Sequence, residues 1–449
     1  MSLSTTLPRR WIYILRAWKS HLASVHTANR LASKPSFLER LKTSIFRVDD
    51  KTKSLNQSSD NSTWIQAIAE AENLVNHKGG SHIDPAQLVG KDLTDLTKNI
   101  KQLLGSKHPM LNTVNKYYFN AQGKHIRPLI VLLMSQATSI APKHHNITLA
   151  DTYQIIDISL TPQLSLNEGM AGVDRDTPAR YLPTFSTDNT FILPTQRRLA
   201  EITEMIHTAS LFHDDVIDIS DSRRNQPSAN VCFGNKMAIL AGDFLLARAS
   251  VALARLRNPE VIELLATVIA NLVEGEFMQL KSTQTDKTIF ERYIEKTYMK
   301  TASLIAKSCR ASSVLGGCTE EVADIAYNYG KNLGLAFQLV DDMLDFMVSQ
   351  TELGKPVGAD LKLGLATAPV LYAWEQFPEL GPLIERKFSK EKDVERTREL
   401  VYKSQGLERT KLLAASHCRK AAEAVLQLPE SDARNALIQL TEKVLTRRK

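Results

Sequence analysis

"LFHDDVIDISDSRR" (residues 211–224) is the stretch on which the reading of this chain turns. Leu211, Phe212, Val216 and Ile217 recur at helical spacing, yet Asp214, Asp215 and Asp218 crowd the same helix, with Asp221 beyond. Asp is a poor helix former, and carboxylates at i and i+4 repel by about 0.2–0.5 kcal/mol. A second apolar stretch, "FQLVDDMLDF" (337–346), repeats the pattern with Asp341, Asp342 and Asp345, and Asp341 lies 127 residues after Asp214. Charge on a helix ordinarily marks a solvated face. Both clusters, however, are flanked by Leu, Phe, Val and Ile, so exposing the acids would expose those neighbours too, and burying them requires that something neutralise them. Hard divalent cations do so with oxygen ligands, and Mg²⁺ takes one or two carboxylates together with substrate phosphate oxygens. Asp214 and Asp218 fall on one helical face and can share such an ion.

A metal bridged to phosphate calls for basic clamps nearby, and the sequence supplies them. "GKHIRP" offers Lys124 and Arg127 at the start of a helix that Pro128 helps to open. Arg223 and Arg224 follow the first aspartates, "YMKTASL" offers Lys300 and Thr301, and Gln338 precedes the second aspartates. Arg binds phosphate as a planar fork and Lys as a point charge. His207 lies two helical turns before Asp214 on the same face, a fitting place for a phosphate contact. Each of these residues alone is an ordinary surface or packing feature; their number beside two acidic clusters is not. No GxxxxGK[ST] loop and no kinase-type Gly-rich loop is present, which disfavours nucleotide phosphoryl transfer.

The rest of the chain sets the frame. From "DLTDLTKNIKQLL" (92–104) almost to the end, apolar residues recur at three, four and seven positions, and long stretches such as "KMAILAGDFLLARASVALARL" (236–256) read as helices with a broad apolar face. An all-α multi-helix bundle follows. Residues 141–195 carry Pro, Gly, Asp and Thr without period, which predicts a mobile surface insertion between two helices. No run of about 18 apolar residues predicts a membrane-spanning helix. Cys232, Cys309, Cys318 and Cys418 form no CxxC pair and read as reduced packing residues.

The net charge of +7 is local: residues 1–48 hold nine Lys/Arg against Glu39 alone, so the remainder is close to neutral. That removes the main support for a nucleic-acid partner. The first 48 residues, rich in Arg, Ser and apolar side chains, have the composition of a mitochondrial transit peptide. Residues 49–90 read as a linker, with one short helix near Trp64–Val75, and 91–449 as the catalytic domain.

These motifs, in this order, resemble the trans-prenyltransferases that make isoprenoid diphosphates. The family's GKxxRP, DDxxD followed by RR, "GNK…LAGDFLL", KT and FQxxDDxxD read here "GKHIRP", "DDVIDISDSRR", "GNKMAILAGDFLLARA", "MKTASL" and "FQLVDDMLDF". The segment "LGKPVGADLKLGLATAPVLYAWEQFP" (353–378) is similar to mitochondrial long-chain polyprenyl diphosphate synthases of ubiquinone biosynthesis, the hexaprenyl to decaprenyl enzymes. The resemblance implies an isoprenoid synthase fold around a central cavity. It implies Mg²⁺ on Asp214, Asp218 and Asp341, with Asp215, Asp342 and Asp345 supporting. Lys124, Arg127, His207 and Arg224 would hold isopentenyl diphosphate. Arg223, Lys300, Thr301 and Gln338, assisted by Lys355, would hold the allylic diphosphate. Asp214, Asp218, Lys300, Gln338 and Asp341 would carry the catalytic work. A homodimer or hetero-oligomer is implied, and so apolar a product implies peripheral contact with a membrane. Ala209 and Ser210, five and four residues before Asp214, stand where bulky aromatics floor the pocket of short-chain members; small residues imply an open tunnel, which Phe212 would narrow if it pointed inward. Two departures are Asn225, where the family usually has Gly, and Leu365, where many bacterial members are basic. A non-catalytic partner subunit and a class I terpene cyclase are the competing readings. The first tends to lose an acidic cluster, and the second has no need of Lys124 and Arg127.

Overall fold

The computed structural model describes residues 84–105, 108–120, 125–144, 184–186, 188–223, 226–280, 288–347 and 358–447. The transit segment, most of the linker, the middle of the 141–195 insertion, and Lys124, Arg224, Asn225 and Lys355 lie outside the described residues.

Among the described residues the first helix starts at Pro85, inside the segment expected to be linker, with the Asp84 carboxylate accepting the Ala86 N–H at 3.2 Å. The helices in chain order are α1 (Pro85–Leu88), α2 (Gly90–Leu103), α3 (Pro109–Asn120), α4 (Ile126–Thr138), α5 (Pro194–Ile217), α6 (Ala229–Phe233), α7 (Asn235–Arg255), α8 (Pro259–Leu280), α9 (Ile289–Thr297), α10 (Ser303–Leu315), α11 (Glu320–Met347), α12 (Ala359–Lys362), α13 (Ala368–Gln376), α14 (Leu380–Glu385), α15 (Asp393–Lys403), α16 (Gly406–Val425) and α17 (Asp432–Thr446). A π-helical turn, Tyr298–Ala302, joins α9 to α10. The described strands are two two-residue antiparallel pairs: β1 (Thr184–Phe185) with β2 (Phe191–Ile192), and β3 (Ser222–Arg223) with β4 (Gln226–Pro227). The all-α expectation holds.

Local chemistry fixes where the helices begin. Pro194 opens α5, and the Gln196 side chain turns back to accept the Leu193 N–H at 2.9 Å while donating to the Ser312 carbonyl at 2.8 Å. Thr288 and Glu291 form a capping box on α9. Ser431 caps α17, and Asp188 accepts the Asp432 N–H at 3.2 Å, so the segment after the insertion anchors that helix. The ends of the insertion are thus built into the body: Thr190 and Ile192 are buried, and the helix starts two residues before the expected boundary.

One apolar core runs through α2, α4, α5, α7, α8, α10, α11, α16 and α17. Helix α11, 28 residues and about 42 Å long, is the central strut, packed between α10 and α16. It reaches α10 closely only because Gly330 and Gly334 lack side chains: a Cβ on Gly334 would sit 2.6 Å from the Ala302 Cα. Among the described residues one helix, α7, is long and apolar enough to cross a membrane by length and composition alone, a test that a core helix also passes. It is built into the body against α5, but Ile239, Leu240 and Val251 stay exposed, as do Val273 and Phe277 on α8. Cys309, Cys318 and Cys418 are buried free thiols, as packing residues should be, and Cys232 is an exposed one.

Candidate active site

Both acidic clusters sit in the last turns of long helices, α5 ending at Ile217 and α11 at Met347. Carboxylates there face the negative end of the helix dipole, an arrangement that disfavours them unless a cation is at hand. Asp218 is the C-cap of α5, its N–H donating to the Asp214 carbonyl at 2.8 Å. Ile219 then takes a left-handed backbone, φ 51°, a strained choice for a β-branched residue that turns the chain sharply out of the helix.

The first cluster is charged against its preference. The Asp214 carboxyl is pushed up to about 6, first by burial. Lys300 pulls it down, Glu276 and Asp218 push it up, and Arg223 pulls it down. Asp218 is raised too, first by burial, with Lys300 and Arg223 pulling it down and Glu276 and Asp215 pushing it up. Glu276, on α8, has no metal-ligand signal in its sequence context, yet it pairs with Lys300 at 2.5 Å, and its Oε1 is buried with no hydrogen-bond partner among the described residues. Gln279 accepts from the same Lys300 ammonium at 3.1 Å. Gly275 makes room for this lysine, since a Cβ there would meet Lys300 Cγ at 2.7 Å.

Lys300 and Thr301 occupy the π-turn, whose extra residue re-aims the two side chains. Lys300 acts on the first cluster. Thr301 reaches the second, donating to Gln338 Oε1 at 2.9 Å, while Gln338 Nε2 donates to Asp342 Oδ1 at 2.9 Å. Tyr293 on α9 donates to the other Asp342 oxygen at 2.5 Å. Burial raises the Tyr293 hydroxyl well above its ordinary value, with the Asp342 charge adding to it, so the phenol stays protonated. Burial likewise raises Asp342 to about 6, against Tyr293, Gln338 and Lys296, which pull it down.

The other expected residues fall into place unevenly. Arg127 Nη1 donates to His207 Nε2 at 2.9 Å, which requires that His207 keep a lone pair on that nitrogen and so orients Arg127. His125, left-handed at φ 43°, meets Glu204 at 3.1 Å and sets the entry to α4. His213, beside Asp214, fills the notch at Gly242 of the "LAGD" motif, with Asp243 at 3.4 Å. Arg447, just past α17, pairs with Asp341, donates to the Phe337 carbonyl at 3.1 Å and lies over the Phe337 ring at 3.9 Å. A metal on Asp341 therefore meets a protein cation already there.

Three of the expected aspartates, those in supporting roles, hold protein donors. Asp215 has no exposed surface and holds Arg223 Nε at 2.7 Å. Asp342 is buried between Tyr293 and Gln338. Asp345 accepts the Ala359 and Asp360 N–H groups at 3.1 and 3.3 Å, pinning the start of α12. Ala209 and Phe212 have no exposed surface either, so neither borders open space; Ser210, one position on, is half-buried.

Among the described residues, no three His, Cys, Asp or Glu side chains converge into a complete metal shell. The donors are nonetheless all hard oxygens, and one buried carboxylate oxygen of Glu276 has no hydrogen-bond partner among the described residues. This suits an ion that completes its coordination with substrate phosphate. Since Asp214 must be ionised to bind it, affinity for Mn²⁺ without substrate is expected to fall about tenfold per pH unit below pH about 6, as read by calorimetric titration. An affinity flat from pH 7 to 5 would remove Asp214 from the metal site.

Residues 184–401 match the polyprenyl synthetase family model. The mitochondrial hexaprenyl pyrophosphate synthase of Saccharomyces cerevisiae is 48% identical over 430 residues, covering 82% of this chain and 91% of its own. The chain belongs to the polyprenyl synthetase family. Decaprenyl-diphosphate synthase subunit 1 of Schizosaccharomyces pombe is 49% identical over 370 residues, 81% of this chain and 91% of its own. Among solved structures, the polyprenyl synthase of Caulobacter crescentus, complexed with calcium and isoprenyl diphosphate, superposes with a TM-score of 0.65 at 29% identity, covering 83% of this chain and 99% of its own. This family member is thus a prenyltransferase acting on prenyl diphosphates, with the all-α isoprenoid synthase fold and the family's dependence on a divalent metal.

Proposed function

We propose that this synthase condenses isopentenyl diphosphate successively onto an allylic diphosphate, using Mg²⁺, to make a long all-trans polyprenyl diphosphate for the ubiquinone side chain. One observation carries the assignment of roles: neighbouring residues of the π-turn serve different acidic clusters, Lys300 the first and Thr301, through Gln338, the second. A single diphosphate seated on that turn is within the field of both clusters.

Asp214, Asp218 and Asp341 would hold Mg²⁺, which when bound supplies positive charge to the departing diphosphate. Lys300, Thr301, Gln338 and Arg223, with Lys355, hold the allylic diphosphate. Arg127, oriented by His207, binds the diphosphate of isopentenyl diphosphate as a fork, with Lys124 and Arg224. Asp215 fixes Arg223 through Nε. Departure of the diphosphate leaves an allylic carbocation; the isopentenyl double bond attacks it, and the released diphosphate takes up the proton whose loss restores the alkene. The chain's share is to align the two substrates and to keep water, which would quench the cation, away from it.

The exposed apolar faces of α7 and α8 suit cover by a second subunit, either another copy or the partner that the "subunit 1" of the Schizosaccharomyces enzyme's name suggests. Residues 1–48 support import into the mitochondrion, and delivery of so apolar a product supports contact with a membrane surface.

Incubating the purified chain with labelled isopentenyl diphosphate, farnesyl diphosphate and Mg²⁺, then chromatographing the products, tests the reading. Elongated prenyl diphosphates are expected from the chain alone. No elongation would leave the partner-subunit reading, and a cyclic hydrocarbon would establish the cyclase. In the same assay, Ser210→Phe is expected to shorten the main product by two or more isoprene units; an unchanged length would take Ser210 out of the tunnel.

A further inference from the structure

Tyr293 packs beside Phe290, ring centroids 5.8 Å apart, and is 5% exposed. A phenylalanine would fill that space equally well. Its hydroxyl donates to Asp342 Oδ2 at 2.5 Å and also meets the Thr297 side chain, and so packing alone does not explain it. The carboxylate that receives it is 2% exposed and has its other oxygen taken by Gln338 Nε2 at 2.9 Å. The donors then run in one direction. With its amide nitrogen bound to Asp342, Gln338 must turn its carbonyl oxygen toward Thr301, whose hydroxyl donates to it at 2.9 Å. Charge balance comes from Lys296, one turn after Tyr293, whose ammonium lies 5.7 Å from the Tyr293 ring. Buried polar networks of this kind hold a single geometry only while every member is satisfied.

We infer that Tyr293 is a positioning residue: through Asp342 it fixes the amide orientation of Gln338 and with it the Thr301 hydroxyl, the groups that receive the allylic diphosphate. The inference rests on the roles proposed above for Thr301 and Gln338. Without the phenol, Asp342 Oδ2 loses its donor. A buried carboxylate short of donors turns to recruit another, and Gln338 is the polar side chain already bound to it. Once Gln338 turns, Thr301 loses its acceptor. The clamp for the other substrate is built on other elements: Arg127 and His207 lie on α4 and α5 and bond each other at 2.9 Å.

The network therefore predicts a split between the two substrates. In steady-state kinetics at saturating Mg²⁺, Tyr293→Phe is expected to raise KM for farnesyl diphosphate about 5- to 20-fold, within the reach of one lost hydrogen bond to a charged group. KM for isopentenyl diphosphate should stay within about twofold of wild type. Coupling gives a second readout: adding Thr301→Val to Tyr293→Phe should raise KM for farnesyl diphosphate by much less than Thr301→Val does alone in wild type. Asp342→Asn, which keeps the side-chain shape, should show the same split and covers the case of a Tyr293→Phe chain that does not fold. An unchanged KM for farnesyl diphosphate, a parallel rise for both substrates, or additive effects of the two substitutions would overturn the inference. Failure of the wild-type chain to elongate at all would count against the proposed function rather than against Tyr293.

Discussion

Asp214→Asn is expected to lower turnover about a thousandfold while leaving the metal-free fold at least as stable as wild type. The size of the loss follows from what one fixed charge contributes where diphosphate departs and a metal is held. The stability follows from the carboxyl's environment. Its folded pKa, about 6, stands above the ordinary 3.8 because it is buried, against the pull of Lys300 and with the push of Glu276 and Asp218. A raised acid binds its proton more tightly in the folded state. It therefore favours folding below pH about 4, loses that contribution as pH rises through about 6, and is a net burden at pH 8. The amide removes the charge, relieves repulsion across one turn from Asp218, and no longer opposes the dipole at the end of α5. A two-unit shift corresponds to about 3 kcal/mol at most, so a gain on the order of 1–2 kcal/mol in metal-free thermal unfolding at pH 8 is the expected scale. Mg²⁺ should then raise the melting temperature of the wild type more than that of the variant. Wild-type turnover in Asp214→Asn would end the metal assignment. A marked loss of stability would show instead that the carboxylate holds the fold together.

Much of this site is legible in the chain because its chemistry makes local sense impossible. Aspartates in apolar helices ask for a cation, and phosphate clamps beside them say what the cation carries. Helical periodicity likewise shows the bundle, since its long helices bury broad faces. What the sequence hides has a common cause: a partner distant in the chain. Glu276 lies in "EGEFMQL" like any surface acid, and only the return of the π-turn to α8 sets it on Lys300. Nothing in "YMKTASL" announces the extra residue of that turn. Tyr293 reads as an apolar-face aromatic until α11 brings Asp342 to its hydroxyl, and Arg447 reads as one of several basic residues after a helix until Asp341 meets it. The aspartates within each motif look interchangeable in the sequence. A helix separates them, because neighbours point about 100° apart, so Asp215 and Asp342 turn into the body while Asp214 and Asp341 stay more accessible. Residues 188–195 look formless in the sequence for the opposite reason. Their order comes from Asp188, Thr190 and Gln196 binding α17, α4 and α10, not from any period of their own.

Gly334→Val is expected to be among the most damaging single substitutions for the fold, costing about 3 kcal/mol or more. The position looks like a liability, a glycine in the middle of a 28-residue helix, where Ala would ordinarily be better by about 1 kcal/mol. The contact explains it. A Cβ there would lie 2.6 Å from the Ala302 Cα and 2.8 Å from its Cβ, and Gly330, one turn earlier, would meet the Ala306 Cα at 2.8 Å. These are backbone and methyl atoms, which cannot swing aside. The helices must separate, and overpacking of this kind costs 1–3 kcal/mol or more. Ala302 is the last residue of the π-turn that carries Lys300 and Thr301, so separation at this point also pulls Thr301 from Gln338. Activity should therefore fall further than the folded fraction does, measured below the variant's own melting temperature. Gly90→Ala is the control: nothing lies within 4 Å of its Cβ, and it opens α2, so it should be neutral or gain up to about 1 kcal/mol. A Gly334→Val chain that melts with wild type would mean that α10 and α11 are not packed through these glycines. One that is destabilised but fully active per folded molecule would uncouple the helix contact from the diphosphate clamp.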